Sequence, residues 1–562
     1  MNIPDYIKNR YWKDFLPPNV PLVTNIPEDM SLLDVFEKGA EFGDKVALDY
    51  YGREFTFKDM VLLTRRFASA LHNLGVKKGD VVAIWLPNSP HFIFSYYGVL
   101  LLGATLTAIS PLFIAREMTY QIQDSGAKYF ILLDRFFHQT KKIQKDPKIE
   151  KMIIVNVEGK VPDIPETDRV VHFNTLIDQF PKPIDIPRPN VNPKEDIAVI
   201  QYTGGTTGLP KGACLSHRNI VANVYQLKPM IDYLKKEFLK GDILGISVLP
   251  WYHIYGQTCE LATYPIVGGK SIVFATFDVP RIFEVIKTHR PNGMAGVTTM
   301  FLTLLNHPLI NDTDLSCLKF VNVGAGALPI ELARKWKEIT GYEMGEGYGL
   351  SEASPVVTAS PPWAKKKYGS CGHPIPNTLV GVISVDTLEF LPIGEAGELV
   401  ISGPQVMIGY HNRPKENEKV FFEAGGYKWL RTGDFARFDE EGYIFLLDRM
   451  KDLIKYKGHS VYPREVEEIL FEHHAIQECS VIGVKDPVKG EDIKAFVLLK
   501  KEYKGKVTEQ EIIDWAKENM AAYKYPRIVE IVRGLPKSAV GKILRRKLRE
   551  KEEKKKKRRI IS

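Results

Sequence analysis

Residues 81–113 contain no Asp, Glu, Lys or Arg, and an uncharged stretch of that length belongs inside a membrane or inside a buried core. About 20 consecutive apolar residues would cross a bilayer, and the run YYGVLLLGATLTAI approaches that composition. Pro87, Asn88, Ser89, Pro90 and His91 interrupt the stretch, however, and Pro111 closes it. These breaks favour strand, turn, helix, turn, strand: VVAIWL as a buried strand, HFIFSYYGVLLLG as a buried helix and ATLTAI as the next strand. Strands covered on both faces predict a parallel sheet in an α/β core.

Apolar strands followed by amphipathic helices recur between residues 45 and 344, as in DIAVIQYT, DILGISVLP, KSIVFA, GMAGVT and LKFVNVG. Alternation of this kind indicates parallel sheets flanked by helices. Between residues 369 and 447 the pattern changes to short strands with Gly/Pro turns, namely GVISVD, GELVISG and GYIFLLD. Beyond residue 451 a compact α+β unit is predicted, with helices at PREVEEILFEH and TEQEIIDWAKENM and strands at ECSVIGV and IKAFVLLK. A chain of 562 residues is too long for one hydrophobic core. The expected architecture is an α/β fold with a large N-terminal domain, residues 1–447, made of two parallel-type αβ subdomains and a β-rich subdomain. A boundary at residues 448–451 separates it from a small α+β C-terminal domain, residues 452–562.

The net charge of +8 hints at nucleic acid until it is located. Residues 541–562 hold 12 Lys/Arg against 3 Glu, a net of +9, which leaves the preceding 540 residues at −1. A neutral body argues against nucleic acid as a partner. The tail run KEEKKKKRR is expected to be disordered by like-charge repulsion. Near an anionic bilayer each Lys or Arg contributes about 1 kcal/mol, so the tail suits weak peripheral membrane contact. The five cysteines, Cys214, Cys259, Cys317, Cys371 and Cys479, are far apart and form no C-x-x-C pair. That argues against a disulfide framework or a zinc site and fits a reducing cytoplasm. The opening MNIPDYIKNRYWKDF lacks the basic and apolar regions of a secretory signal.

The segment with the clearest chemistry is QYTGGTTGLPKG at residues 201–212, which follows the apolar strand DIAVI. From Thr203 onward it holds four glycines, three threonines and one lysine in ten residues. Glycines let backbone amides crowd around an anion, hydroxyls donate further hydrogen bonds, and Lys211 supplies positive charge. A polyphosphate suits this composition. It is not the common P-loop, because Pro210 precedes Lys211 and Gly212 follows it, where that loop needs Gly and a hydroxyl residue.

YTGGTTGLPKG closely resembles the phosphate loop of the adenylate-forming superfamily that contains acyl-CoA synthetases, firefly luciferases and nonribosomal peptide adenylation domains. Further motifs of that family follow in order: PWYHIYG at residues 250–256, VGAGALP at 323–329, EGYGLSE at 346–352, WLRTGD at 429–434, DRMKDLIKYKG at 448–458 and PKSAVGKILRR at 536–546. The resemblance runs from about Thr56 to Leu548. VGAGALP alone could pass for a dinucleotide fingerprint, but Pro329 stands where the third glycine would be.

The resemblance implies ATP, Mg2+ and CoA as co-substrates and cofactor, and assigns residues accordingly. Thr203, Gly204, Gly205, Thr206, Thr207 and Lys211 would hold the phosphates. Gly324, Ala325, Gly326, Glu346, Gly347, Tyr348 and Gly349 would line the adenine and acyl pocket, with Ser351 near the α-phosphate and Glu352 as the magnesium ligand. The family usually has Thr where Ser351 stands, and the hydroxyl survives. Asp434 would accept the ribose hydroxyls, Arg449 would reach ribose or phosphates, and Lys455 would lie near AMP. Lys542 would contact the α-phosphate and the carboxylate during adenylation, and His253 would stand near the carboxylate at the mouth of the CoA tunnel. Lys451 occupies the hinge position about which the family's mobile C-terminal domain rotates, after which Lys457 and Gly458 would line the pantetheine channel. Ser460 replaces a glutamine of some relatives.

The implied reaction is activation of a carboxylic acid with ATP to an acyl-adenylate and transfer of the acyl group to CoA. Acetate-specific relatives carry a tryptophan where this chain has Gly349, so a medium or long acyl chain or an aryl acid fits better than acetate. The TGGTTG form, with Gly204 where many relatives have Ser, resembles fatty-acyl-CoA ligases, and a medium- or long-chain fatty acid is the expected substrate. Aryl acids of the 4-coumarate type, short hydroxy acids and loading of a carrier protein are the alternatives.

Overall fold

The structure is a computed structural model that describes residues 3–203, 209–449, 452–457, 459–486, 490–538, 541 and 543–561. The uncharged stretch forms the strand–helix–strand unit that its sequence predicts. Strand Val81–Trp85 runs parallel to strand Thr105–Ala108, with helix Pro90–Leu100 between them. Ser89 starts that helix by accepting a hydrogen bond from the Phe92 amide, and Pro90 occupies the first turn, where its missing N–H costs nothing. Phe92, Tyr96, Tyr97, Val99 and Leu100 are fully buried. Among the described residues no helix is long and apolar enough to cross a membrane.

These strands sit inside an eight-stranded sheet. Strands Ile197–Thr203, Thr105–Ala108, Val81–Trp85, Tyr129–Leu133, Lys151–Val155 and Val170–His172 run parallel. At one rim Lys211–Ser216 and Gly409–Tyr410 add antiparallel strands. A second, nine-stranded sheet contains the parallel strands Phe320–Val323, Gly293–Gly296, Leu244–Ser247 and Lys270–Val273, with Gly345–Gly349 pairing parallel to the first of them. The two sheets are the two αβ subdomains. The β-rich stretch is an antiparallel sheet that includes Leu379–Ile383, Gly397–Ser402 and Tyr427–Phe438.

Strand Ile444–Arg449 closes that sheet. Beyond it, strands Ile476–Asp486 and Gly490–Leu499 pair antiparallel and helices Pro463–Phe471 and Glu509–Asn519 accompany them. The main core of this unit draws on residues between Ile454 and Ile531, and a smaller cluster packs Leu535 and Leu548 against Ile482 and Phe496. The charged tail departs from expectation. Residues Arg545–Ile561 form a helix, because the tail's charges are not left to repel one another. Arg546 pairs with Glu550 one turn on, and Lys551 and Lys555 both reach Glu530 on a neighbouring strand.

Gly372 shows how tightly the antiparallel rim of the nine-stranded sheet is built. Its φ is +87°, and a Cβ there would lie 2.2 Å from the Ala359 carbonyl oxygen. Both the left-handed backbone and the collision act on Gly372→Ala, which is expected to cost about 2 kcal/mol or more. Denaturant unfolding at neutral pH measures this, and a change within about 0.5 kcal/mol would contradict it.

Candidate active site

The Gly/Thr segment is the connection of a β-hairpin. Strands Ile197–Thr203 and Lys211–Ser216 pair with Tyr202 opposite Gly212 and Thr203 opposite Lys211. Gly212 is needed for this closure, since a Cβ would lie 2.5 Å from Ile200. At the far end, Tyr120 donates to the Pro210 carbonyl at 3.0 Å. Gly204, Gly205, Thr206 and Thr207 lie outside the described residues.

Lys211 leaves the hairpin with its ammonium hydrogen-bonded to Glu416 and 5.3 Å above the Tyr410 ring. The Tyr410 hydroxyl donates to Glu352 Oε1 at 2.7 Å. One tyrosine thereby joins the phosphate-loop lysine to the candidate metal ligand. Among the described residues no group donates to Glu352 Oε2, and the residue is only partly buried. A half-used carboxylate beside a phosphate site fits magnesium, which takes hard oxygen ligands and keeps phosphate oxygens and waters for the rest.

The EGYGLSE segment supplies the next wall. Tyr348 is buried and donates its hydroxyl to Asp434 Oδ2 at 2.7 Å, while Arg449 Nε lies 3.4 Å from Oδ1. Burial and the Asp434 carboxylate raise the phenol far above its ordinary range, so Tyr348 remains a donor. Glu346 is buried too. Desolvation pushes its carboxyl up to about 7, against the pull of Arg464 and the Leu328 amide. Gly347 and Ser351 belong to the same segment, and Ser351 is buried. Gly349 has a reason beyond an open acyl pocket: a Cβ would lie 2.4 Å from the Pro355 carbonyl oxygen. The backbone itself excludes a side chain there.

Gly324, Ala325 and Gly326 follow the strand Phe320–Val323. A Cβ on Gly324 would lie 2.8 Å from the Tyr255 ring, and Ala325 holds a φ of +60°. A non-glycine residue in the left-handed region is strained backbone of the kind found at binding sites. Tyr255 belongs to the loop that carries His253. The His253 Nδ1 accepts from the Tyr255 amide at 3.2 Å, which puts the proton of the neutral ring on Nε2.

Two buried side chains outside the motifs fix that loop from behind. Asn88 donates to the Leu249 carbonyl and accepts from the Trp251 amide, both at 2.8 Å. Glu260 Oε2 accepts from Trp251 Nε1 and from the Ser247 hydroxyl, both at 2.7 Å. Tyr410 and Glu416 likewise lie outside the motifs. Their partners are distant in sequence, and only a family alignment or the fold itself would reveal them.

Among the remaining expectations, Lys451, Gly458 and Lys542 lie outside the described residues. Gly541 lies against Thr299, whose hydroxyl is 3.5 Å from the Gly541 carbonyl oxygen. Thr299 adjoins Thr298, which bonds the Ala327 carbonyl beside the glycine-rich wall. Lys455 and Lys457 stand exposed on the hairpin of strands Ile454–Tyr456 and His459–Val461. The structure therefore gathers Lys211, Glu352, Tyr348, Asp434 and Arg449 and leaves these two lysines on the C-terminal unit.

Burial raises the Glu260 carboxyl to about 8, with the Ser247 and Trp251 hydrogen bonds opposing. The folded protein keeps this proton where the unfolded chain has released it, so stability falls as pH rises from about 4.5 towards 8. Glu260→Gln cannot titrate. Between pH 5.5 and 8 the parent is expected to lose on the order of 2 kcal/mol more than the variant. Denaturant unfolding at the two pH values measures the difference, and parallel losses would contradict it.

Comparison with known proteins agrees with this geometry. Residues 35–411 match the AMP-binding enzyme family, and residues 465–542 match the AMP-binding enzyme C-terminal domain. A long-chain-fatty-acid–CoA ligase of Bacillus subtilis (strain 168) is 38% identical over 558 residues, covering 96% of this chain and 98% of the relative. The crystal structure of an anthranilate CoA ligase in complex with anthranoyl-AMP superposes with a TM-score of 0.83 at 26% identity, over 93% of this chain and 98% of that one. The o-succinylbenzoate CoA synthetase of Bacillus subtilis, in complex with ATP and magnesium ion, gives 0.76 at 26% identity, over 92% and 98%. With both matches in sequence order and relatives aligned over nearly their whole length, the chain belongs to the AMP-binding enzyme family.

Proposed function

We propose that this chain is an AMP-forming acid–CoA ligase acting on a medium- or long-chain fatty acid. The observation that carries the reading is the joining of Lys211 to Glu352 through Tyr410, beside the Tyr348–Asp434–Arg449 group. These residues put a cation, a carboxylate with one oxygen unengaged among the described residues, and an oriented acid around one hairpin. Near full-length likeness to a long-chain-fatty-acid–CoA ligase supports the choice of acid.

In the first half-reaction the acid's carboxylate attacks the α-phosphorus of ATP in line and diphosphate leaves. No protein nucleophile is required, so the chain's task is orientation and compensation of charge. Asp434, oriented by the Tyr348 hydroxyl, is suited to accept the ribose hydroxyls. Lys211 faces the outer phosphates, and Glu352 with phosphate oxygens would hold magnesium, which offsets the charge that repels an incoming carboxylate. Lys542 is assigned to the α-phosphate and the carboxylate. The contact of its neighbour Gly541 with Thr299 supports that role.

In the second half-reaction the CoA thiol attacks the acyl-adenylate and AMP leaves. We assign this step to rotation of residues 452–562 about residues 448–451, with Lys451 at the hinge, Lys455 near AMP and Lys457 and Gly458 along the pantetheine channel. Lys455 and Lys457 are exposed in the present arrangement. All five cysteines are free, which supports a reducing, cytoplasmic location. The basic helix Arg545–Ile561 supports weak contact with anionic lipid.

Acid-dependent ATP–diphosphate exchange over acids from acetate to palmitate, with cinnamates included, tests the reading when followed by thioester detection. Exchange and thioester formation should be strongest with medium or long fatty acids. A preference for aryl acids would move the substrate towards the anthranilate ligase it resembles, and no exchange with any acid would refute the ligase. Lys542→Ala should abolish exchange while sparing thioester formation from supplied acyl-adenylate; equal loss of both would refute its role.

A further inference from the structure

The C-terminal unit touches the EGYGLSE wall through a charged pair whose arginine lies in none of the motifs. Arg464 stands in the first turn of helix Pro463–Phe471, and its amide donates to Asp448 Oδ2 at 2.9 Å. Its guanidinium Nε bonds Glu468 Oε1 at 3.1 Å within the same unit. The far end crosses the junction, with Nη2 3.9 Å from Glu346 Oε1, and only 14% and 8% of the two side chains are exposed. Nη2 is buried and, among the described residues, makes no hydrogen bond. Nearby, Phe435 and Tyr462 bring their ring centres to 5.8 Å across the same junction.

A bidentate arginine–carboxylate pair is strong and oriented, and opening one in the interior strands both charges. The pair here is different. It acts across 3.9 Å by charge alone, and Arg464 keeps a partner in Glu468 whether or not the junction is closed. At Glu346, opening therefore forfeits one attraction and no hydrogen bond of the guanidinium, while water regains a carboxylate that burial disfavours; the bonds of the Arg464 amide and of Arg545 to Asp448 lie at the hinge itself. Such a contact biases an arrangement without locking it, as a step that must reverse in every turnover requires.

We propose that Arg464 is the closure residue of the adenylating arrangement: it draws the C-terminal unit onto the Glu346 wall of the nucleotide pocket and releases it for the thiol step. This rests on the two-step ligase reading above. Arg464 acts through the position of the domain and of Glu346, so it is a positioning residue and touches no reacting atom.

The test separates the half-reactions. With an acid that the parent activates, Arg464→Gln should lower ATP–diphosphate exchange about tenfold, a change of about 1.4 kcal/mol. Thioester formation from supplied acyl-adenylate and CoA should stay within about twofold of the parent. Arg464→Lys, which keeps the charge, should recover most of the exchange. Trypsin cleavage within residues 448–452 reports the junction without any assay of activity and should be severalfold faster in Arg464→Gln. If Arg464→Gln matched the parent in exchange and cleavage, or lost both half-reactions in parallel, the closure role would be overturned. Should Arg464→Gln fail to fold, a normal cleavage rate with lowered exchange in Arg464→Lys would likewise overturn it. A parent that is inactive in both half-reactions overturns the ligase reading itself, and the closure role with it.

Discussion

Two residues of edge strand, Gly409–Tyr410, hold the site together. They pair antiparallel with Cys214 and Ala213 at the rim of the eight-stranded sheet. That register sets Tyr410 beside Lys211, puts its hydroxyl on Glu352 and brings the helix Pro414–Val420 round so that Glu416 meets the lysine. Glu352 comes from the other large sheet, by way of the turn after Gly345–Gly349. A short strand therefore fastens the phosphate hairpin of one subdomain to the acid of another. The same construction recurs behind His253, where Asn88 from the first sheet holds Leu249 and Trp251 beside the second.

The junction with the C-terminal unit carries ionic pairs beside the Phe435–Tyr462 ring contact. Arg545 reaches across to Asp448 at 2.6 Å and, within the unit, meets Glu467 at 2.6 Å and Asp452 at 3.7 Å, where Arg549 adds a further pair with Asp452. Desolvation opposes these ions, and the surrounding carboxylates hold the Arg545 guanidinium firmly protonated. Buried ionic groups contribute little net stability compared with packed hydrocarbon, but they tolerate few alternative arrangements. The apolar cores on either side remain separate from this ionic seam. Stability thus resides within the units, and orientation resides between them.

Much of the architecture was legible in the sequence because its signals are local. The breaks at Pro87–Pro90 and Pro111 decided between a membrane span and a strand–helix–strand unit, and Ser89 caps the helix where those breaks end. The phosphate hairpin was legible because its glycines and hydroxyls are consecutive, and Glu352, Asp434 and Arg449 because each sits in a recognisable motif. Tyr410, Glu416, Glu260 and Arg464 carry no such mark. Their partners lie 58, 205, 9 and 118 residues away, and even the nearest pair depends on a turn between Trp251 and Glu260 that the sequence does not announce. The tail was misjudged for a related reason, since its like charges were weighed against one another without Glu530, which the fold brings alongside.

The Lys211–Glu416 pair changes what the phosphate hairpin offers an anion. A bare ammonium would give an incoming phosphate the full attraction of an unoccupied charge. Lys211 already has a resident counter-ion, so a phosphate gains only the difference between two acidic partners. The carboxylate is tethered by its helix and remains within reach when an anion departs. If Lys211 holds phosphate as proposed, nucleotide entry and diphosphate exit would become an exchange of partners on one lysine, with Glu416 as its resident counter-ion.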